Sequence, residues 1–86
     1  MPVISRFFGI TIRMYYRDHP PPHFHASYGE SEALVTINGL TVLEGDLPRR
    51  ALRLVREWAT LHTDALREDW ERARRAEPLR PIPPLE

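Results

Sequence analysis

Apolar and polar residues alternate through the first half of the chain and recur at steps of three and four through the second. In Ile10-Thr11-Ile12-Arg13-Met14-Tyr15-Tyr16, alternate positions place Ile10, Ile12, Met14 and Tyr16 on one face and Thr11, Arg13 and Tyr15 on the other. That is the period-two signature of a half-buried strand. Phe24, Ala26 and Tyr28 repeat it, which leaves His23, His25 and Ser27 on the open face. A third strand is predicted from about Glu32 to Ile37, with Ala33, Val35 and Ile37 inward. Asn38-Gly39 follows, a dipeptide suited to the positive φ angles of a type I′ hairpin turn, and Leu40 to Glu44 is the return strand. A first strand near Val3 to Phe8 is compatible with the pattern, with Gly9 marking a bulge or bend.

The pattern changes period after Asp46. Leu52, Val55, Ala59, His62, Leu66, Trp70 and Ala73 form a helical stripe. Asp46 is the expected N-cap, with Pro48 in the first turn. Arg53 with Glu57, Glu68 with Arg72 and Glu71 with Arg75 are spaced as i,i+4 partners on the wet side. An unbroken helix over 49–77 would run about 43 Å, against roughly 30 Å for a small domain. The helix therefore either breaks near Thr60 to Thr63, where Thr63 could cap a second segment, or overhangs and displays Trp70 to a partner. The expected architecture is α+β: an antiparallel meander of about four strands over residues 2–45, with a long or two-segment C-terminal helix over 47–76 packed on one face. Residues 1–77 make a single domain, and 78–86 a Pro-rich, extended tail.

Composition narrows the function classes. With 86 residues there is room for one modest core. The formal net charge is zero, so the molecule as a whole is not a polyanion binder. All 12 basic residues are Arg, which reads as genomic base bias or as a preference for planar forks that grip phosphate or carboxylate. Without cysteine there is no disulfide framework and no thiolate zinc site. No apolar run approaches the roughly 20 residues of a membrane span. The N-terminal segment lacks a signal-peptide layout, so a cytoplasmic location is expected.

The candidate chemistry lies in His19-Pro20-Pro21-Pro22-His23-Phe24-His25, which gathers three of the four histidines. Imidazole suits proton transfer near neutral pH, metal ligation and hydrogen bonding to phosphate. Residues two apart on a strand point the same way, roughly 6.5–7 Å apart, so His23 and His25 can aim at one point. In ideal polyproline geometry His19 would lie about 12 Å from His23, and it joins them only if the loop bends. His19, His23 and His25 plus a water would make an open site for a divalent metal such as zinc; Asp18, Glu30 and Glu32 make a mixed site conceivable. Keeping apolar faces together pairs Tyr16 with Phe24, Met14 with Ala26 and Ala26 with Ala33. The open face then carries Arg13, Tyr15, Arg17, His23, His25, Ser27 and Glu32. Those residues supply stacking and phosphate contacts for RNA, or, with His23, His25 and Arg13 as catalytic groups, the acid, base and charge clamp of phosphodiester cleavage. Leu34 and Leu43 extend the face as an apolar patch for a protein partner. The plain alternative is that the histidines are solvated and the prolines serve a tight hairpin loop. Trp58 and Trp70 read as core or interface anchors, and His62 as a packed helix residue.

Asp18-His19-Pro20-Pro21-Pro22-His23-Phe24-His25-Ala26, the Tyr28-Gly29-Glu30 turn, the acidic-apolar hairpin and the Trp-bearing helix resemble a bacterial family of small proteins catalogued as a domain of unknown function. Its signature is a carboxylate or His followed by Pro-Pro-His-x-His. The resemblance covers nearly the whole chain and marks His19, Pro21, Pro22, His23, His25 and Trp70; where many members have Glu before the His, this chain has the shorter Asp18. Members are often encoded beside a second small protein. The resemblance thus implies a toxin–antitoxin-like two-protein module; joined to the strand geometry, it makes the sheet face (Arg13, Tyr15, Arg17, His23, His25, with Trp70) the expected contact with the neighbouring protein or RNA. A ribonuclease using metal or His acid/base chemistry is the alternative. A third reading is a structural adaptor that homodimerises through the C-terminal helix.

Overall fold

The structure, a computed structural model, describes residues 2–86. Five strands form one antiparallel sheet in chain order: β1 Val3–Phe7, β2 Ile10–Arg13, β3 His23–Tyr28, β4 Ser31–Thr36 and β5 Val42–Gly45. Two helices follow, α1 Arg49–Leu61 and α2 Thr63–Arg74. The expected α+β meander is present, with five strands in place of about four.

Turn chemistry explains the hairpins. Phe8 and Gly9 connect the paired Phe7 and Ile10 with φ of 47° and 80°, the two positive values that a two-residue type I′ connection needs. Gly9 is therefore a turn residue, and the irregularity in β1 lies between Val3 and Ser5. The hairpin after β4 is longer than the expected two-residue Asn38-Gly39 turn. Positive φ falls on Gly39 and Leu40, and β5 begins at Val42. The Thr36 hydroxyl holds this wider loop, donating to the Asn38 carbonyl (2.9 Å) and accepting the Thr41 N–H (2.8 Å).

One face of the sheet is the core. Ile10, Ile12, Met14, Phe24, Ala26, Ala33 and Val35 are buried together with Ala51, Val55, Trp58 and Ala59 of α1 and Leu66, Trp70 and Ala73 of α2. Tyr16 and Tyr28, expected inward, are 44% and 42% exposed. Strand β2 ends at Arg13, before Tyr16, and Tyr28 is the last residue of β3.

The helical half breaks at His62, whose φ of −127° and ψ of 29° interrupt the α path. A continuous helix over 49–76 would need about 42 Å, and the molecule's longest dimension is 33 Å. Thr63 does not cap α2. Its hydroxyl donates back to the Ala59 carbonyl at 3.1 Å, the local competition that makes Thr a poor mid-helix residue. Nor is Asp46 the cap of α1: Pro48 precedes that helix without a side-chain cap, and the Asp46 N–H bonds to the Glu32 carbonyl. Nothing overhangs. Trp70 is 5% exposed, so the premise of a dimer built on a projecting helix is absent. Of the expected helix pairs, Glu68 meets Arg72 at 3.3 Å, whereas Glu71 takes Arg74 and not Arg75.

Residues 78–86 have no helix or strand, yet they pack. Ile82 is buried and its N–H donates to the Ile4 carbonyl (2.8 Å). The Pro83 carbonyl accepts Trp58 Nε1–H (2.9 Å), and the Arg80 N–H donates to Asp69 Oδ1 (2.9 Å). Asp69 is almost fully buried, and its Oδ2 has no partner. Burial raises its carboxyl above the ordinary value; Glu68 adds to this, while the Arg80 N–H, Arg72 and Arg80 oppose it. A raised folded-state value means the fold binds this proton more tightly than the unfolded chain. Its contribution is thus greatest in acid and declines as pH rises. Asp69→Asn keeps the acceptor for Arg80 and removes the buried charge. At pH 7 it should gain on the order of 1 kcal/mol, a Tm increase of about 4–8 °C for a domain this size. Thermal melts should show the gap closing toward pH 4; a gap that widens in acid would contradict this. Among the described residues, no helix is long and apolar enough to cross a membrane.

Candidate metal centre at the proline-rich loop

Strand β3 begins directly after Pro22, which is itself in register: its carbonyl accepts the Ile37 N–H at 3.0 Å. The preceding loop, 14–22, folds back over the start of β3. Arg17 makes the reversal with φ 54°, and its N–H is tied to the Ala73 carbonyl at the end of α2 (3.2 Å). This reversal carries Asp18 to the histidines. The His19 N–H donates to Asp18 Oδ1 (2.8 Å) and fixes the carboxylate. Asp18 Oδ2 then lies 3.0 Å from His23 Nε2 and 3.2 Å from His25 Nε2.

Burial sharpens the arrangement. The His23 side chain is wholly buried, and those of His25 and Asp18 are 14% and 16% exposed. Trp70 of α2 covers His23 at a ring separation of 5.3 Å. Burial alone would raise the Asp18 carboxyl. The His25 hydrogen bond, the His19 N–H and the neighbouring His23 and His19 rings more than reverse this and hold it below its ordinary value. Asp18 is therefore a carboxylate at neutral pH.

Hydrogen-bond accounting at His23 is the decisive detail. Its Nδ1 lies 2.7 Å from the Pro21 carbonyl and its Nε2 faces Asp18 Oδ2. Both partners only accept, and a neutral imidazole carries one N–H. With that hydrogen on Nδ1, Nε2 turns its lone pair toward the Oδ2 side, as a metal ligand would; with it on Nε2, the ring donates to Asp18 instead. An Nδ1–H directed at a backbone carbonyl is the arrangement that orients metal-ligating histidines. Asp18, His23 and His25 each offer one ligand atom, all within 4.8 Å of one another. Tetrahedral zinc with bonds of about 2.0–2.2 Å sets neighbouring donors roughly 3.3–3.6 Å apart, a few tenths of an ångström beyond the 3.0 and 3.2 Å from Asp18 Oδ2 to the two Nε2 atoms. Glu32 Oε2 stands 3.6 Å behind His25 Nδ1, where it can orient that ring. Without an ion the same contacts still clamp the loop to β3, which is their structural role.

The proposed ligand His19 is not part of this set. Its ring stacks on His23 at 5.0 Å, but the side chain is 63% exposed and Nδ1 turns to the Pro20 carbonyl. Asp18 replaces it. Glu30 belongs to the turn between β3 and β4 and takes no part. Arg13 and Tyr15 do reach the open face, by a different register. Arg13 pairs with His25 and Ile12 with Ala26, two residues from the expected alignment. Arg13 Nη1 nonetheless donates to Ser27 Oγ (3.1 Å), and Tyr15 meets the His25 ring edge-on at 4.4 Å. Arg17 leaves the sheet with the loop and is exposed. Trp70 supports His23 from inside the fold and keeps only a small accessible edge.

A family model described as Domain of unknown function (DUF4160) matches residues 9–71, which is 63 of the 86 positions. The chain belongs to this family. The DUF4160 match contains Asp18, His23, His25 and Trp70, and ends before Arg74 and the C-terminal tail. None of the curated proteins and none of the solved structures matches the chain.

Proposed function

We propose that this DUF4160 protein is a divalent-metal-dependent enzyme acting on the phosphodiester backbone of RNA, with Asp18, His23 and His25 holding the ion. The observation that carries the reading is one carboxylate oxygen set between two Nε2 atoms, with His23 already oriented through Nδ1. Three protein donors leave a coordination position for water or a substrate oxygen. A metal ion there would polarise the phosphate and lower the pKa of bound water. Arg13, held across from His25, supplies positive charge for the developing negative charge on phosphate. Tyr15 presents an aromatic ring beside it for an unstacked base.

Labelled single-stranded RNA incubated with zinc- or manganese-loaded untagged protein tests this. Cleavage should stop with a chelator and in His25→Ala, and fall by about 10²–10³ in Arg13→Ala, the loss typical of one transition-state donor. RNA left intact with every divalent ion tried would end the enzymatic reading.

One observation favours a second reading on the same face. Leu34 is half-buried beside His25, and Leu43 is 40% exposed, an apolar border suited to a protein. There the chain is one component of a two-protein module of toxin–antitoxin type, and a neighbouring small protein covers the face. Growth arrest on expression that survives His25→Ala, together with intact RNA, would favour this reading over cleavage.

A further inference from the structure

Beside the metal centre, on the α2 side of Asp18, is a cleft of about 330 Å³ lined by Asp18, Pro20, Pro22, Trp70, Glu71 and Arg74. Its volume is at the lower end of small-molecule sites, which run from about 300 to 1,000 Å³. The lining divides by chemistry. Pro20, Pro22 and the small accessible part of Trp70 form an apolar wall; Asp18, Glu71 and Arg74 form a charged rim.

Arg74 is a guanidinium with unused capacity. Its Nη1 reaches both Glu71 carboxylate oxygens at 3.3 Å, and among the described residues Nη2 and Nε have no hydrogen-bond partner. The pair is exposed, 61% and 50%, and such pairs are weak enough to yield to a better anion. A phosphate offers the two-pronged geometry that a guanidinium prefers.

The ion decides the sign of the cleft. Two carboxylates against one guanidinium leave a single net negative charge, which repels a phosphate. A divalent ion on Asp18 turns this into a single net positive charge. Resting on the metal-centre reading above, we infer that the cleft is a nucleotide subsite: the base lies on the Pro20–Pro22–Trp70 wall and the phosphate between the metal-bearing Asp18 edge and Arg74. The shared chemistry is a nucleoside phosphate, either free or as one unit of an RNA strand.

Calorimetric titration of the intact untagged chain, first with zinc and then with AMP, tetraadenylate or inorganic phosphate, tests this. Zinc-loaded protein should bind AMP at least about tenfold tighter than zinc-free protein, and Arg74→Ala should lose at least about tenfold in AMP affinity, as expected for a charge-assisted contact. Zinc affinity in Arg74→Ala should stay unchanged. Inorganic phosphate should bind more weakly than AMP, because it cannot use the apolar wall. Tetraadenylate binding tighter than AMP identifies a strand unit, and equal or weaker binding identifies a free mononucleotide. If zinc binds and AMP does not, or Arg74→Ala is silent, or phosphate equals AMP, the subsite is overturned and the metal centre stands. No zinc binding overturns both.

Discussion

Zinc titrated into the untagged protein should bind with one-to-one stoichiometry, and Asp18→Asn should weaken it by at least about a hundredfold, since changes merely one shell outside a metal already cost 10–100-fold. The substitution is nearly isosteric. It preserves an acceptor for the His19 N–H and removes the charge shared by the two Nε2 atoms. His25→Ala should have a comparable effect with little damage to the core, because that ring is on the open face. His19→Ala should leave zinc affinity unaltered, since the His19 ring is mostly exposed and outside the donor set. This contrast separates the Asp18–His23–His25 centre from a three-histidine one. Stability supplies an independent readout: a ligand at 1,000 times its Kd stabilises the fold by about 4 kcal/mol, and a chelator should reverse the shift. No zinc-dependent change in melting, or equal sensitivity to His19→Ala and His25→Ala, would dismiss the centre.

The substitution of Asp18 for His19 shows where reading a sequence by pattern reaches its limit. The β3–β4 alignment was legible to the residue: Ala26 faces Ala33, Ser27 faces Glu32 and His25 faces Leu34. There a two-residue turn, Gly29-Glu30, leaves no slack, and alternation fixes the rest. Between β2 and β3 the connection spans nine residues, and a period-two pattern is blind to a shift of two. The faces came out right and the register did not. The same loop hid the grouping of Asp18 with His23 and His25. His23 and His25 could be grouped because they share a strand face, a local property. Asp18 reaches them only through a reversal at Arg17 that is anchored to Ala73, far along the chain. The usable signal was Asp18 just ahead of the prolines, which the sequence offers for a mixed site beside Glu30 and Glu32 without singling it out. The burial of His23 was likewise unavailable to alternation, since its cover comes from Trp70 on α2.

Trp58→Ala should bring the folded domain to the edge of stability. Trp58 has no exposed surface, and its ring lies 5.3 Å from Phe7, 5.9 Å from Phe24 and 5.7 Å from His62. It thus joins α1 to β1, β3 and the helix break at His62, and Nε1–H holds the tail through Pro83. Truncating a buried Trp to Ala costs about 3–5 kcal/mol. At about 0.05–0.15 kcal/mol per residue, a chain this short holds only roughly 4–13 kcal/mol in total. Trp58→Phe keeps most of the packing and leaves the Pro83 carbonyl without its donor, so it should cost about 1–3 kcal/mol. Urea midpoints should therefore fall in the order wild type, Trp58→Phe, Trp58→Ala. The consequence for the site is indirect and measurable. Phe24 stands between His23 and His25 on β3, pointing the other way, and packs edge-on against Trp58 in the core. Loosening that contact loosens the strand that sets the two Nε2 atoms on one carboxylate oxygen. Zinc should then recover part of the lost midpoint in Trp58→Phe, because binding selects the ordered strand. A wild-type midpoint in Trp58→Ala would mean that the helices and sheet are joined elsewhere.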